Sequence, residues 1–172
     1  SDMTAKYSVL ISVYAKEKAD YFNTAVLSML NQTVKPDEIV IVKDGPLTEE
    51  LDQVIFNLTE EYPDIFRILE NETNLGLGPS LQKGILACQN ELIARMDSDD
   101  ISRSNRIEKQ LQQFEVDPDL SICGGIIREV YDEDITKTAG YRITPTEDAE
   151  LKEYTKTRCP FNHMTVMYKK SE

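Results

Sequence analysis

The chain is expected to fold as an α/β domain, a mostly parallel sheet flanked by helices. Short apolar, β-branched runs alternate with segments of helical period from Tyr7 to Val116. That alternation marks consecutive βαβ units, whose crossover helices cover both faces of a parallel sheet. The runs are also too continuously apolar for strands with one wet face. A third observation bears on function as well as fold. The run Leu92–Met96 stops abruptly at Asp97, Asp99 and Asp100 within ELIARMDSDD. Ligands of open α/β sheets bind at the carboxyl ends of the strands, so this acid cluster stands where a site is expected.

Tyr7–Val13 (YSVLISV) is the first strand. From Asp20 to Asn31, Phe22, Val26, Met29 and Leu30 recur at helical spacing and give one apolar face. Glu38–Lys43 (EIVIVK) is a second buried strand, stopped by Asp44, Gly45 and Pro46. Thr48–Tyr62 is a helix with acids in its first turn, where they suit the helix dipole. Phe66–Leu69 is a third strand. Asn74–Ser80 (NLGLGPS) is a turn, with Pro79 placed at the first position of a helix ending near Cys88. Leu92–Met96 is the fourth strand, and a helix follows from about Arg103 to Val116. Beyond Leu120 the alternation ends. Ile122–Tyr131 reads as strand broken at Gly124 and Gly125, Asp132–Thr144 is polar, Glu147–Tyr154 is a short helix, and Met164–Tyr168 is a last strand. No repeat, low-complexity stretch or linker divides the chain, so residues 1–172 form a single domain on this reading.

At 172 residues the chain is long enough for a well-buried core without staples. Its apolar and charged fractions, 40% and 29%, are those of an ordinary globular protein. A formal net charge of -12 argues against a nucleic-acid backbone or an anionic membrane surface as a direct partner. It also means that a diphosphate ligand needs local help from a cation or backbone amides. The cysteines Cys88, Cys123 and Cys159 are widely spaced and form no CxxC pair, so they read as reduced thiols of a cytoplasmic protein. No apolar run approaches the about 20 residues needed to span a bilayer.

Each strand end offers polar residues to one edge: Ser12 and Tyr14, then Asp44, then Asn74 and Gly76, then the acids. An aromatic ring, a lone carboxylate and an acid cluster together suit a nucleotide. Tyr14 can stack on a base, Asp44 can accept a base N–H, and the acids can hold a hard cation across a diphosphate. Singly, each has a structural reading too, and the acid cluster can be a solvated turn capping the next helix. Rival motifs fare worse. The glycines of Gly76-Leu-Gly78 follow the third strand and lack the third glycine of a dinucleotide fingerprint, since Leu81 stands there. No GxxxxGK[ST] loop exists. Asp97 to Glu108 places acids at three calcium-hand positions, but Ile101 and Ser102 stand where a ligand and a glycine are needed. His163, the single histidine, has no GxSxG partner for a hydrolase triad. Arg103 and Arg106 either balance the acid turn or reach a phosphate.

In order, Val9–Tyr14 (VLISVY), Leu30–Thr33 (LNQT), Glu38–Gly45 (EIVIVKDG), Asn74–Gly76 (NLG) and Met96–Asp100 (MDSDD) closely resemble the family 2 glycosyltransferases. The resemblance runs from about residue 7 to residue 169. Lys43–Thr48 (KDGPLT), Ala94–Asp97 (ARMD) and Asn162–Met167 (NHMTVM) are similar to the bacterial exopolysaccharide branch, the amylovoran-type transferases. The resemblance implies a GT-A (nucleotide-diphospho-sugar transferase) fold. It also implies metal-dependent, inverting transfer of a sugar, most often from a UDP-sugar, to a saccharide or lipid-linked acceptor. Ser12, Val13, Tyr14, Asn74, Gly76, Asp97 and Ser98 would then bind the nucleotide sugar, and Asp44 would accept from the base. Asp97 and Asp99 would hold Mn2+ or Mg2+, with Asp100 competing for that role.

The sequence also departs from the family. Ala15 stands where many relatives have Asn, Lys43 precedes Asp44 where two acids are frequent, and Ser80-Leu81-Gln82 replaces a frequent Ala-Arg-Asn. The family's catalytic base is a carboxylate in a later Glu-Asp motif that has no counterpart before Glu172. The base is therefore expected beyond Glu172, and the chain is expected to be cut short at its acceptor end; otherwise Asp132, Glu133 or Asp134 become candidates. The resemblance places the work at the cytoplasmic face of the cell membrane, with any membrane association running through segments outside this chain. Two alternatives remain at this stage: a donor-binding portion without activity, and a nucleotidyltransferase, whose glycine-rich basic loop after the first strand is not found.

Overall fold

The computed structural model describes residues 6–116, 122–124 and 166–170. Its elements run β1 (Tyr7–Val13), α1 (Ala19–Leu30), β2 (Glu38–Asp44), α2 (Glu49–Glu61), β3 (Phe66–Asn71), α3 (Leu77–Ala87), β4 (Leu92–Asp97), α4 (Arg106–Val116), β5 (Ile122–Gly124) and β6 (Val166–Lys169). They form one sheet of order β3-β2-β1-β4-β6-β5. β1 pairs in parallel with β2 and β4, and β2 with β3, while β6 runs antiparallel to β4 and to β5.

Alternation along β1 sorts its side chains into two cores, as the period of two in a strand requires. Tyr7, Val9, Ile11 and Val13 join Phe22, Val26 and Met29 of α1, Leu51, Ile55 and Leu58 of α2, and Ile107, Leu111 and Phe114 of α4. Leu10 turns to the opposite face with Val40, Val42, Ile93 and Cys88, where Leu81 and Ile85 of α3 cover it. Covering both faces is what the near-continuous apolar strands foretold. α3 lies close to the sheet because Gly84 has no side chain: a Cβ there would stand 2.2 Å from Cδ1 of Leu10.

The expected strands and helices through residue 116 are all present, with differences at their ends. β2 and β4 each run one residue further, so Asp44 and Asp97 are the last paired residues of their strands, opposite Asn71 and Ser12. Backbone pairing therefore fixes both acids. Pro79 is the third residue of α3 and not the first, because Gly76 is its N-cap. A proline is tolerated there since the first four helical N–H groups have no intrahelical partner. α4 begins at Arg106, not near Arg103. Burial raises the Cys88 thiol to about 12, with the charge of Glu38 adding to it, consistent with a reduced, inert cysteine. The side chain of Cys123, together with Cys159, His163, Asp132, Glu133, Asp134, the expected Glu147–Tyr154 helix and the rest of the Ile122–Tyr131 strand, lies outside the described residues.

Candidate functional site

The strand order reverses direction between β1 and β4, and such a switch point leaves a crevice at the strands' carboxyl ends. A cleft of about 520 Å³ opens there, lined by Ser12, Tyr14, Lys16, Glu17, Asp44, Asn74, Gly76, Leu77, Asp97, Ser98 and Asp99. The donor- and cation-site residues expected from the sequence are thus brought together, with two exceptions. Val13 is buried in the core and does not line the cleft. Asp100 turns back into its own loop, where its carboxylate accepts the Asp97 amide at 3.4 Å.

Asp44 is 5% exposed and almost fully engaged. Its Oδ1 accepts the Leu75 amide at 2.7 Å and the Asn71 side-chain amide at 3.0 Å, while Oδ2 accepts the Gly76 amide at 2.9 Å. Asn71 also donates to the Ser80 hydroxyl at 2.9 Å and accepts from Lys83 at 3.2 Å, which ties this carboxylate to α3. Burial would raise the Asp44 pKa, but the Leu75 and Gly76 amides and the Asn71 side chain outweigh it and hold the acid below its ordinary value. Gly45 lets the chain turn directly afterwards, with φ 91° and no Cβ to strike the Asn74 nitrogen, which would lie 2.9 Å away.

The acid turn has a different character. Asp97 takes the Arg95 guanidinium at 3.3 Å, and the Asp100 amide closes the turn on the Asp97 carbonyl at 3.2 Å. Asp99 is exposed. Burial, then the Asp97 charge, pushes Asp100 up to about 6. Arg106 does not reach the cleft: it is buried, donating to the Arg95 carbonyl at 2.9 Å, the Ser102 hydroxyl at 3.1 Å and Gln110 at 3.0 Å. Its role is to brace the base of the turn. Glu108, the last acid of the rejected calcium-hand spacing, accepts from Thr33 at 2.8 Å.

Three lining residues escaped the sequence reading. Lys16 and Glu17 follow Tyr14 in a loop with no periodicity to place them, and Leu77 falls within the Asn74–Ser80 stretch that reads as a turn. Tyr14 and Leu77 are 44% and 45% exposed, large apolar surfaces turned towards a polar cleft. Among the described residues four carboxylates line it (Glu17, Asp44, Asp97 and Asp99), against the single cation of Lys16.

The model of the family described as glycosyl transferase family 2 matches residues 8–172, and the chain belongs to that family. It is 38% identical over 176 residues to the Escherichia coli UDP-Gal:alpha-D-GlcNAc-diphosphoundecaprenol beta-1,3-galactosyltransferase, covering 100% of this chain and 61% of the relative. It is 36% identical over 166 residues to the amylovoran biosynthesis glycosyltransferase AmsE of Erwinia amylovora, covering 96% and 60%. The mannosyltransferase PcManGT from Pyrobaculum calidifontis, solved in complex with GDP-Man and Mn2+, superposes with a TM-score of 0.67 at 15% identity over 97% of this chain and 45% of that one. The fold is GT-A. The chain spans less than two thirds of the length of these curated relatives.

Proposed function

We propose that this chain binds a nucleotide-diphosphate sugar, with UDP as the first choice of nucleotide, and that the protein passes the sugar to a saccharide or lipid-linked acceptor in surface-polysaccharide synthesis. The observation that carries the reading is the cleft itself, which sets an exposed ring beside an acid turn at the switch point of the sheet. Tyr14 would stack on the base, and Ser12, Asn74, Gly76 and Ser98 would line the nucleotide and sugar. The Leu75 and Gly76 amides and the Asn71 side chain engage the Asp44 carboxylate, and the Ser80 hydroxyl acts on it too, so a base N–H would share the acceptor capacity that these partners leave.

The charge balance argues for a cation. Among the described lining residues a diphosphate would meet four carboxylates, one of them paired with Arg95, and one lysine, a balance that favours a positive ion entering with it. Mg2+ and Mn2+ favour one or two carboxylates completed by phosphate oxygens and water. Asp97 and Asp99 fit that donor set. Among the described residues no group of three or more acids, histidines or cysteines could hold a metal alone, so the diphosphate would complete the shell. When bound, the ion would neutralise charge on the departing diphosphate.

The inverting step would have the acceptor hydroxyl attack the anomeric carbon as a base takes its proton; no described residue is assigned as that base. The UDP-Gal donor and the diphosphoundecaprenol acceptor named for the E. coli relative support uridine and a lipid-linked acceptor, and on our reading the transfer takes place at the cytoplasmic membrane face. Among the described residues no helix is long and apolar enough to cross a membrane. A thermal-shift screen of nucleotides and nucleotide sugars, with and without manganese, tests the reading. Stabilisation by uridine nucleotides that grows with manganese supports it; no response to any nucleotide overturns it.

A further inference from the structure

The loop after β1 and the acid turn after β4 are joined by one side-chain contact across the cleft. The Ser98 hydroxyl donates to Oε1 of Glu17, residues 81 positions apart in sequence. Oε2 of Glu17 accepts the Lys18 amide at 3.0 Å at the start of α1, where Lys18 is the N-cap and its own side chain makes no cap bond. The Glu17 amide in turn closes on the Tyr14 carbonyl at 3.0 Å. One residue therefore ties together the Tyr14 backbone at the cleft mouth, the N-cap of α1 and the middle of Asp97-Ser98-Asp99.

We propose that Glu17 is a positioning residue of the donor site, holding the acid turn by Ser98 so that Asp97 and Asp99 line the cleft. A fourth carboxylate beside three others is electrostatically unfavourable, so its use there is as a hydrogen-bond acceptor and not as a charge partner. The effect on donor affinity rests on the donor-site reading; the effect on the turn does not.

The test compares Glu17→Ala, Glu17→Gln, Ser98→Ala and the double variant Glu17→Ala/Ser98→Ala by UDP titration in manganese and in chelator. Amide exchange of the 97–100 segment is followed in parallel. Losing one hydrogen bond to a charged group is worth roughly ten- to a hundredfold. Glu17→Ala and Ser98→Ala should each lower manganese-dependent affinity by about that factor, the double variant by no more than either single. Affinity in chelator should be unchanged in Glu17→Ala; Ser98→Ala should lower it as well, since Ser98 is placed against the nucleotide and sugar. Glu17→Gln keeps one oxygen for the Ser98 hydroxyl and gives up only the Lys18 amide, which is exposed and can be taken by water, so it should stay within about threefold of the unaltered chain. Exchange at the turn should quicken in both alanine variants and not in Glu17→Gln. A Glu17→Gln loss equal to that of Glu17→Ala would mean that the charge itself contacts the cation, and would overturn the positioning role. Additive losses, or unchanged exchange at the turn in Glu17→Ala, would also overturn it. Absence of manganese-dependent UDP binding in the unaltered chain would sink the donor reading alone, and amide exchange would then decide whether Glu17 holds the turn.

Discussion

Replacing Asp44 by asparagine changes no volume and one atom. Its two oxygens accept two backbone amides and one side-chain amide, and an asparagine has one oxygen to offer. With that oxygen in the Oδ1 position it keeps Leu75 and Asn71, but sets an NH2 against the Gly76 amide. The opposite flip loses two bonds. The better choice still forfeits one bond to a charged group, worth roughly 1.5–3 kcal/mol, and weakens the two that stay. A total of about 2–4 kcal/mol follows, since Asp44 itself is 5% exposed. For a domain of this size that lowers Tm by roughly 4–16 °C, at ~2–4 °C per kcal/mol. The pH dependence has a definite sign. The folded-state pKa of Asp44 is depressed, so its contribution is complete above the ordinary aspartate value of about 4 and disappears as pH falls through the lower native value. Urea unfolding at pH 7 should show the full gap between Asp44→Asn and the unaltered chain, and the gap should narrow below about pH 4. A loss under ~0.5 kcal/mol at pH 7, in the range of neutral surface substitutions, would refute the clamp. So would a gap that stays constant into acid.

Asp99→Asn should remove most metal-dependent UDP affinity in calorimetry, and Asp100→Asn should cost less, because Asp99 lines the cleft while Asp100 folds back on the Asp97 amide. The reverse order would assign the cation to Asp100. Gly45→Ala should cost about 1–3 kcal/mol in urea unfolding and weaken UDP as well, since its Cβ would press on Asn74; unchanged stability would contradict the tight turn. Gly84→Ala should lower the urea midpoint, because overpacking against Leu10 costs about 1–3 kcal/mol and exceeds the gain in helix propensity of about 1 kcal/mol. A rise in the midpoint would mean that α3 is free to shift.

The parallel sheet was legible because β-branched runs and helical periods are local signals, and the residues at the strand ends follow from them. Chain order alone placed Ser12, Tyr14, Asp44, Asn74, Gly76, Asp97 and Asp99 on one edge, and the cleft lining bears that placement out. What the sequence could not supply was side-chain direction. Nothing in EIVIVKDG says that the Asp44 carboxylate reaches forward to the amides of a turn some 30 residues on. Nor does local pattern join Glu17 to Ser98, turn Asp100 away from the cleft, or commit Arg106 to the Arg95 carbonyl. Pro79 misled for a related reason: proline fits any of the first helical positions, and the N-cap was decided by the Asp44 grip on Gly76.

The central claim is that this cleft takes a nucleotide diphosphate together with a divalent cation. Calorimetric titration of the chain with UDP, in manganese and then in excess chelator, tests it most directly. The account predicts one site per chain, with tighter binding in manganese and a difference that collapses in Asp99→Asn. Equal affinity in manganese and chelator would contradict the metal role, and no binding in either would contradict the nucleotide site itself.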